Sequence, residues 1–519
     1  MNRNAVRNYA FMMLAVAGLL TLTACGGGGN VVMPPPPQGN FTNASFINNY
    51  AFFYQGSDSS GNPLAVSGEL VADGQGHITS GLIDIDDAGT VLSASQILSS
   101  STYTVNADGQ TAVSLVLEGA VPLTLQMTLA SSSHGLITEF DIDGSGTGTI
   151  DAQNPLQLTT PLTGNFAFNV SGVDGGLEET TMGGNLLVNA GGSIPSTQSV
   201  FDFVEVNVGV DSDDTGVTGS LAPDPLHAGH GQINITSPNL PIPNTQLVFS
   251  YYVVDATHLK IIEIDNEFLT AGEAFAAPGV STQLANASYA YTVSGESKRL
   301  TPQAMGGVFV SNGSGGITGG VQDLNRNASG NGHIKQTLQA STYTPDANLA
   351  RIDLILDASG TNFEFAAYPT LNGTVLLSEI DGKQSTVSGT AFQQTATDAV
   401  QGSFAMNLSG LAVNQSADLA QDVVGQVTIA SGGATTGTLQ INNVFLAPPM
   451  PNIVLSSKSI LAALDTPVTG RGNPFTLEST QLGSSGYSLS YYVVDDNTVL
   501  LLEMDSLRVS TGIMLKQQN

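Results

Sequence analysis

Four times in this chain an aromatic-Ala-apolar triplet is answered further on by an acid-apolar-acid triplet. The openings are Tyr50-Ala51-Phe52, Phe166-Ala167-Phe168, Tyr289-Ala290-Tyr291 and Phe404-Ala405-Met406. The closings are Glu139-Phe140-Asp141, Glu263-Ile264-Asp265, Glu379-Ile380-Asp381 and Glu503-Met504-Asp505. They stand 89, 97, 90 and 99 residues apart, so unit one matches unit three and unit two matches unit four. Local spelling agrees: Ser101-Thr102-Tyr103-Thr104 returns as Ser341 to Thr344, and Ser250 to Asp255 returns as Ser490 to Asp495. Such a chain folds as repeated units built on one hydrophobic pattern, from a unit duplicated once and then duplicated again as a pair.

Each unit reads as β. Short runs rich in Val, Ile, Thr, Tyr and Phe alternate with polar residues and are punctuated by Asp73-Gly74, Asp108-Gly109, Asp143-Gly144, Asn312-Gly313 and Asn372-Gly373. These dipeptides suit tight turns with positive φ. Without crossover helices the sheets must be antiparallel, and seven or eight strands per unit make either an up-and-down barrel or a sandwich. The expected fold is therefore all-β: four tandem antiparallel units of about 115–125 residues, arranged as two duplicated pairs. The expected boundaries are 44–153, 154–279, 280–394 and 395–519. Gly164-Asn165-Phe166 resembles the glycine-x-aromatic start of calycin-type barrels, which favours the barrel.

The N-terminus carries an address. Arg3 and Arg7 precede an apolar core from Phe11 to Leu22, and Leu22-Thr23-Ala24-Cys25 ends it. This resembles the lipobox of bacterial lipoproteins. The resemblance implies cleavage of residues 1–24 and diacylglycerol attachment at Cys25, so that the bilayer is contacted through an acylated N-terminus. Residues 25–43, with Gly26 to Gly29 and Pro34 to Pro37, then form a tether. Gly26 after the cysteine, where an Asp would favour inner-membrane retention, points to the outer membrane. The repeat spelling resembles repeat lipoproteins of acidobacterial type, in Ala72 to Gly81 and Ser131 to Asp141 above all. That likeness implies organisation rather than a particular chemistry.

Charge narrows the partners. Forty-three acids against 13 bases give a net charge of −30, and loss of residues 1–24 leaves −32. Nucleic acid is excluded for want of basic clusters, and contact with anionic lipid falls to the anchor alone. A single cysteine rules out internal disulfides.

Candidate chemistry is sparse, and the expectation is a non-enzymatic envelope protein with a structural or binding role. Glu139/Asp141, Glu263/Asp265, Glu379/Asp381 and Glu503/Asp505 each put two carboxylates on one strand face, suited to a cation or to acid–base work. Their recurrence in every unit favours a structural role. Asp84, Asp86 and Asp87, Asp141 and Asp143, and Asp211, Asp213 and Asp214 crowd turns that could hold calcium, although Asp is also the preferred turn residue. His227 and His230 lie in a Pro/Gly-rich loop with no third zinc ligand evident nearby, and His77, His134, His258 and His333 read as isolated turn residues. No metal site is assigned. Of Tyr251-Tyr252 and Tyr491-Tyr492, one ring of each pair is expected in the core and the other free to stack on a sugar. No Gly-x-Ser-x-Gly elbow or phosphate loop occurs. A small apolar ligand inside the β units is the rival reading, and hydrolysis of an envelope polymer a lesser one.

Overall fold

The computed structural model describes residues 39–518, apart from 120, 207, 239, 241–245, 281–282, 298–300, 327–332, 383–384, 414–417, 444–447, 467–468 and 483–485. The expected signal, Cys25 and most of the expected tether lie outside the described residues. Four antiparallel sheets follow one another, bounded by strands Ile47–Asp58 and Gly144–Ala152, Gly164–Asp174 and Phe268–Ala277, Ser288–Ser297 and Ser385–Gln393, and Gly402–Val413 and Arg508–Lys516. Among the described residues, no helix is long and apolar enough to cross a membrane.

Alternation makes the strands. Ser101–Val105 and Ile352–Ala358 bury every second side chain, as a sheet with one face on a core requires. Asp73 shows how the turns are built: its Oδ1 accepts the backbone N–H groups of Gln75, Gly76 and His77, while Gly74 takes φ 75°.

Each unit is one continuous sheet wrapped on itself, not a sandwich, because its first strand pairs with both its second and its last. Tyr50 faces Leu70 on one side and Ala152 on the other. Phe166, Tyr289 and Phe404 are flanked in the same way. In unit one the circuit closes where Pro63–Asp73 pairs His77–Asp87 and that strand pairs Ser101–Val105. Unit three has the matching pairings. Units two and four curl and end on short strands.

The opening triplet now has a physical meaning. Its outer residues point into the barrel: Tyr50 and Phe52, Phe166 and Phe168, Tyr289 and Tyr291, and Phe404 and Met406 belong to four separate cores. The alanine between them faces the next unit. Ala51 packs with Tyr252 and Val254, Ala167 with Tyr368 and Leu376, Ala290 with Tyr492 and Leu502, and Ala405 with Ala130 and Leu136. A larger side chain there would hold the barrels apart. The first strands of each unit thus lie on the later strands of its successor, and unit four lies on unit one. The four units form a closed ring.

Candidate functional site at the mouth of unit two

Each seam carries a polar lock at one register position. Opposite the first strands stand Asp84, Asp202, Asp323 and Gln440, paired with Ser67, Gly183, Gly306 and Val424. The next unit answers with a residue at, or for Arg351 just before, the start of an equivalent strand: His230, Arg351, Arg471 and Gln110. Arg351 binds Asp202 through Nε at 2.7 Å and Nη2 at 3.0 Å, and Arg471 binds Asp323 through the same atoms at 2.7 and 2.8 Å. Tyr368 and Tyr492 donate their hydroxyls to the same aspartates. At the seam that closes the ring the lock is neutral, with Gln440 donating to Gln110 at 2.6 Å.

Unit two departs from this scheme. Tyr252 donates to Asp84 at 2.6 Å, as its equivalents do, but the cation's place is held by His230. Its Nε2 sits 2.8 Å from Ser250 Oγ and 3.5 Å from Asp84 Oδ2. Its Nδ1 faces Asp224 Oδ2 at 2.9 Å, and the same oxygen lies 2.8 Å from His227 Nδ1. Burial raises the Asp84 carboxyl, yet the hydrogen bonds from His230, Ser250 and Tyr252 outweigh it and hold the group below the usual carboxylate range. Burial lowers His230, and its two aspartates outweigh that and raise it.

Beside this cluster opens a cavity of ≈520 Å3, lined by Leu158, Pro161, Leu162, Tyr251 and the loop from Asp224 to His230 among others. That volume suits a small organic molecule. Leu226, 83% exposed, stands at its rim. Deeper in the same unit the space left among Phe166, Phe249, Ile261 and their neighbours is ≈20 Å3, so the barrel interior itself is filled by side chains.

A third ligand does stand beside His227 and His230: Asp224, from the same loop. Leu226 N–H bonds Asp224 Oδ1 at 2.8 Å in a turn that aims the other oxygen at both rings. The histidines expected in turns instead head strands. His134 binds Asp151, and His258 binds Glu273 at 2.9 Å. Between those acids lies Lys260, fully buried and 2.7 Å from each, an ammonium where a metal would otherwise fit. Neither ring of Tyr251-Tyr252 or Tyr491-Tyr492 is free for a sugar, since all four are buried.

The carboxylate pairs sit at strand ends. Glu139, Glu263, Glu379 and Glu503 are buried, and burial plus the adjacent aspartate pushes their carboxyls up, Glu379 to about 10. A neutral acid is a poor cation ligand. Their partners shape turns or strand ends: Asp141 accepts Thr124 N–H, Asp265 accepts Val248 and Glu267 N–H, Asp505 accepts Leu507 N–H, and Asp381 bonds back to Glu379. Of the acids expected to crowd turns, only Asp141 and Asp143 do so: Asp84, Asp86 and Asp87 lie in strand His77–Asp87 and Asp211, Asp213 and Asp214 in strand Gly209–Asp214, where pairing of the backbone holds them. Asp84 accepts Ala94 N–H, Asp86 accepts Gly89 N–H, Asp141 accepts Asp143 N–H and Asp214 accepts Gly216 N–H. Asp213 takes φ 63° and donates its N–H to Asp202; Asp87 is half-buried, Asp143 is exposed, and the Asp211 side chain lies outside the described residues.

Ser250, His230 and Asp224 stand in the file of a hydrolase triad. Ser250 is fully buried, and its Oγ meets His230 Nε2 at 2.8 Å.

No protein-family description matches the sequence, and no curated protein matches it. Among solved structures, a putative AttH from Nitrosomonas europaea is similar at 9% identity with a TM-score of 0.18, covering 47% of this chain and 97% of that one.

Proposed function

We propose that this chain is a non-enzymatic binding lipoprotein of the cell envelope: a rigid ring of four β units, held by an acylated Cys25 on a tether and leaning to the outer membrane, that takes a small, partly apolar ligand at the mouth of unit two. The observation that carries the binding role is the ≈520 Å3 cavity, whose lining combines leucines and prolines with two imidazoles. At the matching place in unit four, the buried Arg471 is held between Asp323 and Asp465. The filled interior of unit two favours its mouth over its core. The acidic body supports contact with the bilayer through the anchor alone.

The test compares the full chain with Ala228→Trp, a substitution at an exposed position on the cavity wall. Organic extracts of the two proteins, purified from membranes, are analysed by mass spectrometry. A small molecule carried by the parent and lost from Ala228→Trp supports the reading. Identical extracts, or none, overturn it. Cys25→Ser should in the same preparation move the protein from the membrane pellet to the soluble fraction, and retention in the pellet would refute the anchor.

A further inference from the structure

Three side chains at the mouth of unit two have the donor set of a metal centre. One ligand atom from each of Asp224, His227 and His230 lies within 4.8 Å of the other two, and Asp224 Oδ2 stands 2.8 Å from His227 Nδ1 and 2.9 Å from His230 Nδ1. Ligands about 2.0–2.1 Å from a tetrahedral zinc stand roughly 3.4 Å apart. The present Asp224 contacts of 2.8 and 2.9 Å would therefore widen by a few tenths of an ångström around an ion. Asp224 and His227 are on a loop, which can make that adjustment.

The surroundings select the nitrogens. His230 turns Nε2 into the seam, against Ser250 Oγ and Asp84, leaving Nδ1 toward the cavity. An imidazole that donates one N–H to a carboxylate and offers the other nitrogen outward is the common second layer of zinc sites. Tyr252 and the Ala94 N–H pin Asp84 in turn. His227 Nε2 lies 3.3 Å from the side-chain amide of Gln96, which can turn its oxygen to that N–H. Support thus comes from unit one, across the seam.

The repeat supplies the contrast. In unit four Asp465 occupies the place of Asp224 and Arg471 that of His230, with Arg471 Nη1 3.1 Å from Asp465 Oδ2. A guanidinium locks that seam equally well but has no lone pair for a metal. Sealing the seam therefore does not require an imidazole at 230, and it explains nothing about a second one at 227.

We propose that Asp224, His227 and His230 form a three-ligand site for a divalent transition ion of the zinc class, with its fourth position open to the unit-two cavity. The inference rests on that mouth being a binding site. An ion there would offer a Lewis-acidic point to a carboxylate, thiolate or hydroxyl of a ligand in the cavity.

The experiment uses the full chain carrying Cys25→Ser, so that no thiol competes, stripped with a chelator and titrated with zinc alone by calorimetry. One equivalent should bind, and His227→Ala and Asp224→Asn should each weaken binding at least tenfold. His258→Gln, at the Lys260 cluster, should leave it unchanged. Cobalt should give tetrahedral absorption in the parent and lose it in His227→Ala. Absence of saturable zinc binding, or equal binding by His227→Ala, overturns the proposal. Zinc binding without any extracted organic molecule would defeat the ligand-capture reading alone; an extracted molecule with no zinc binding would defeat the metal site alone.

Discussion

Arg471 and Asp323 meet fork to fork across the seam between units three and four, with Nε–Oδ2 2.7 Å and Nη2–Oδ1 2.8 Å, and neither side chain is exposed to water. A buried pair of this kind stabilises little over an apolar pair of the same shape, but either member left alone is costly. Arg471→Met should therefore lower stability by about 3–5 kcal/mol, and Arg471→Met with Asp323→Leu should regain most of it. Chemical denaturation of the three proteins measures this. Equal losses in the single and double variants would show that the pair is not the lock of this seam.

Asp86 gives a pH prediction. Its counterparts are Asn325 and Asn442, whose amides donate to carbonyls of the next unit: Asn325 to Glu503 and Arg508 at 2.8 Å each, Asn442 to Gly144 at 2.7 Å. Asp86 instead lies buried beside acids, and burial first, then the charges of Asp265 and Asp87, raise its carboxyl to about 6. A raised acid favours folding most below its unfolded value of 3.8, and that contribution is lost as pH rises through about 6. Asp86→Asn should thus stabilise the protein by about 1–3 kcal/mol at pH 8 and little at pH 4. Melting curves at both values decide it, and a pH-independent effect would contradict the assignment.

Glu273 has the opposite sign. Burial raises it, but Lys260 and His258 outweigh that and bring it down to about 2. Its contribution is present above the unfolded value of 4.5 and disappears as pH falls toward 2. Glu273→Gln should flatten the acid limb of the stability curve between those values and cost about 2–4 kcal/mol at pH 7, because Lys260 stays buried with one carboxylate fewer. An unchanged acid limb would refute the role.

Gly306 faces Asp323 on the neighbouring strand, and a Cβ there would stand 2.5 Å from Tyr492 Cε2. The tyrosine lies flat on bare backbone. Gly306→Ala should displace that ring, weaken its 2.6 Å bond to Asp323 and cost about 1–3 kcal/mol. Faster amide exchange along Tyr487–Val493, with the core of unit one unaffected, is the expected signature. Uniform loosening across all units would argue against a local seam effect.

Strand class and unit count were legible because period-two alternation and Asp-Gly turns are local. The ring was not. Asp84 meets Tyr252 across 168 positions, and nothing in the spelling of either strand says which outer face meets which neighbour. One clue was present: Arg351 and Arg471, rare bases in an acidic chain, stand 120 residues apart where equivalent strands begin or are about to begin. The opening alanines were another, since a small residue kept between two large ones marks a face approached closely. At unit two the histidines were visible, but Asp224 joins them through a turn, where neither helical nor strand spacing applies.

The seam between unit four and unit one uses the same faces as the other three, and this fixes how many units the architecture accepts. Two successive units present one unsatisfied face at the front and its complement at the back. Two copies of such a half-molecule would complete the same circle without a covalent link between them, and joining them end to end adds only a linker. A fifth unit would find both faces already occupied, whereas three would leave complementary ends free to recruit further chains into open polymers. Duplication of a pair, rather than addition of single units, is the step that leaves no face exposed.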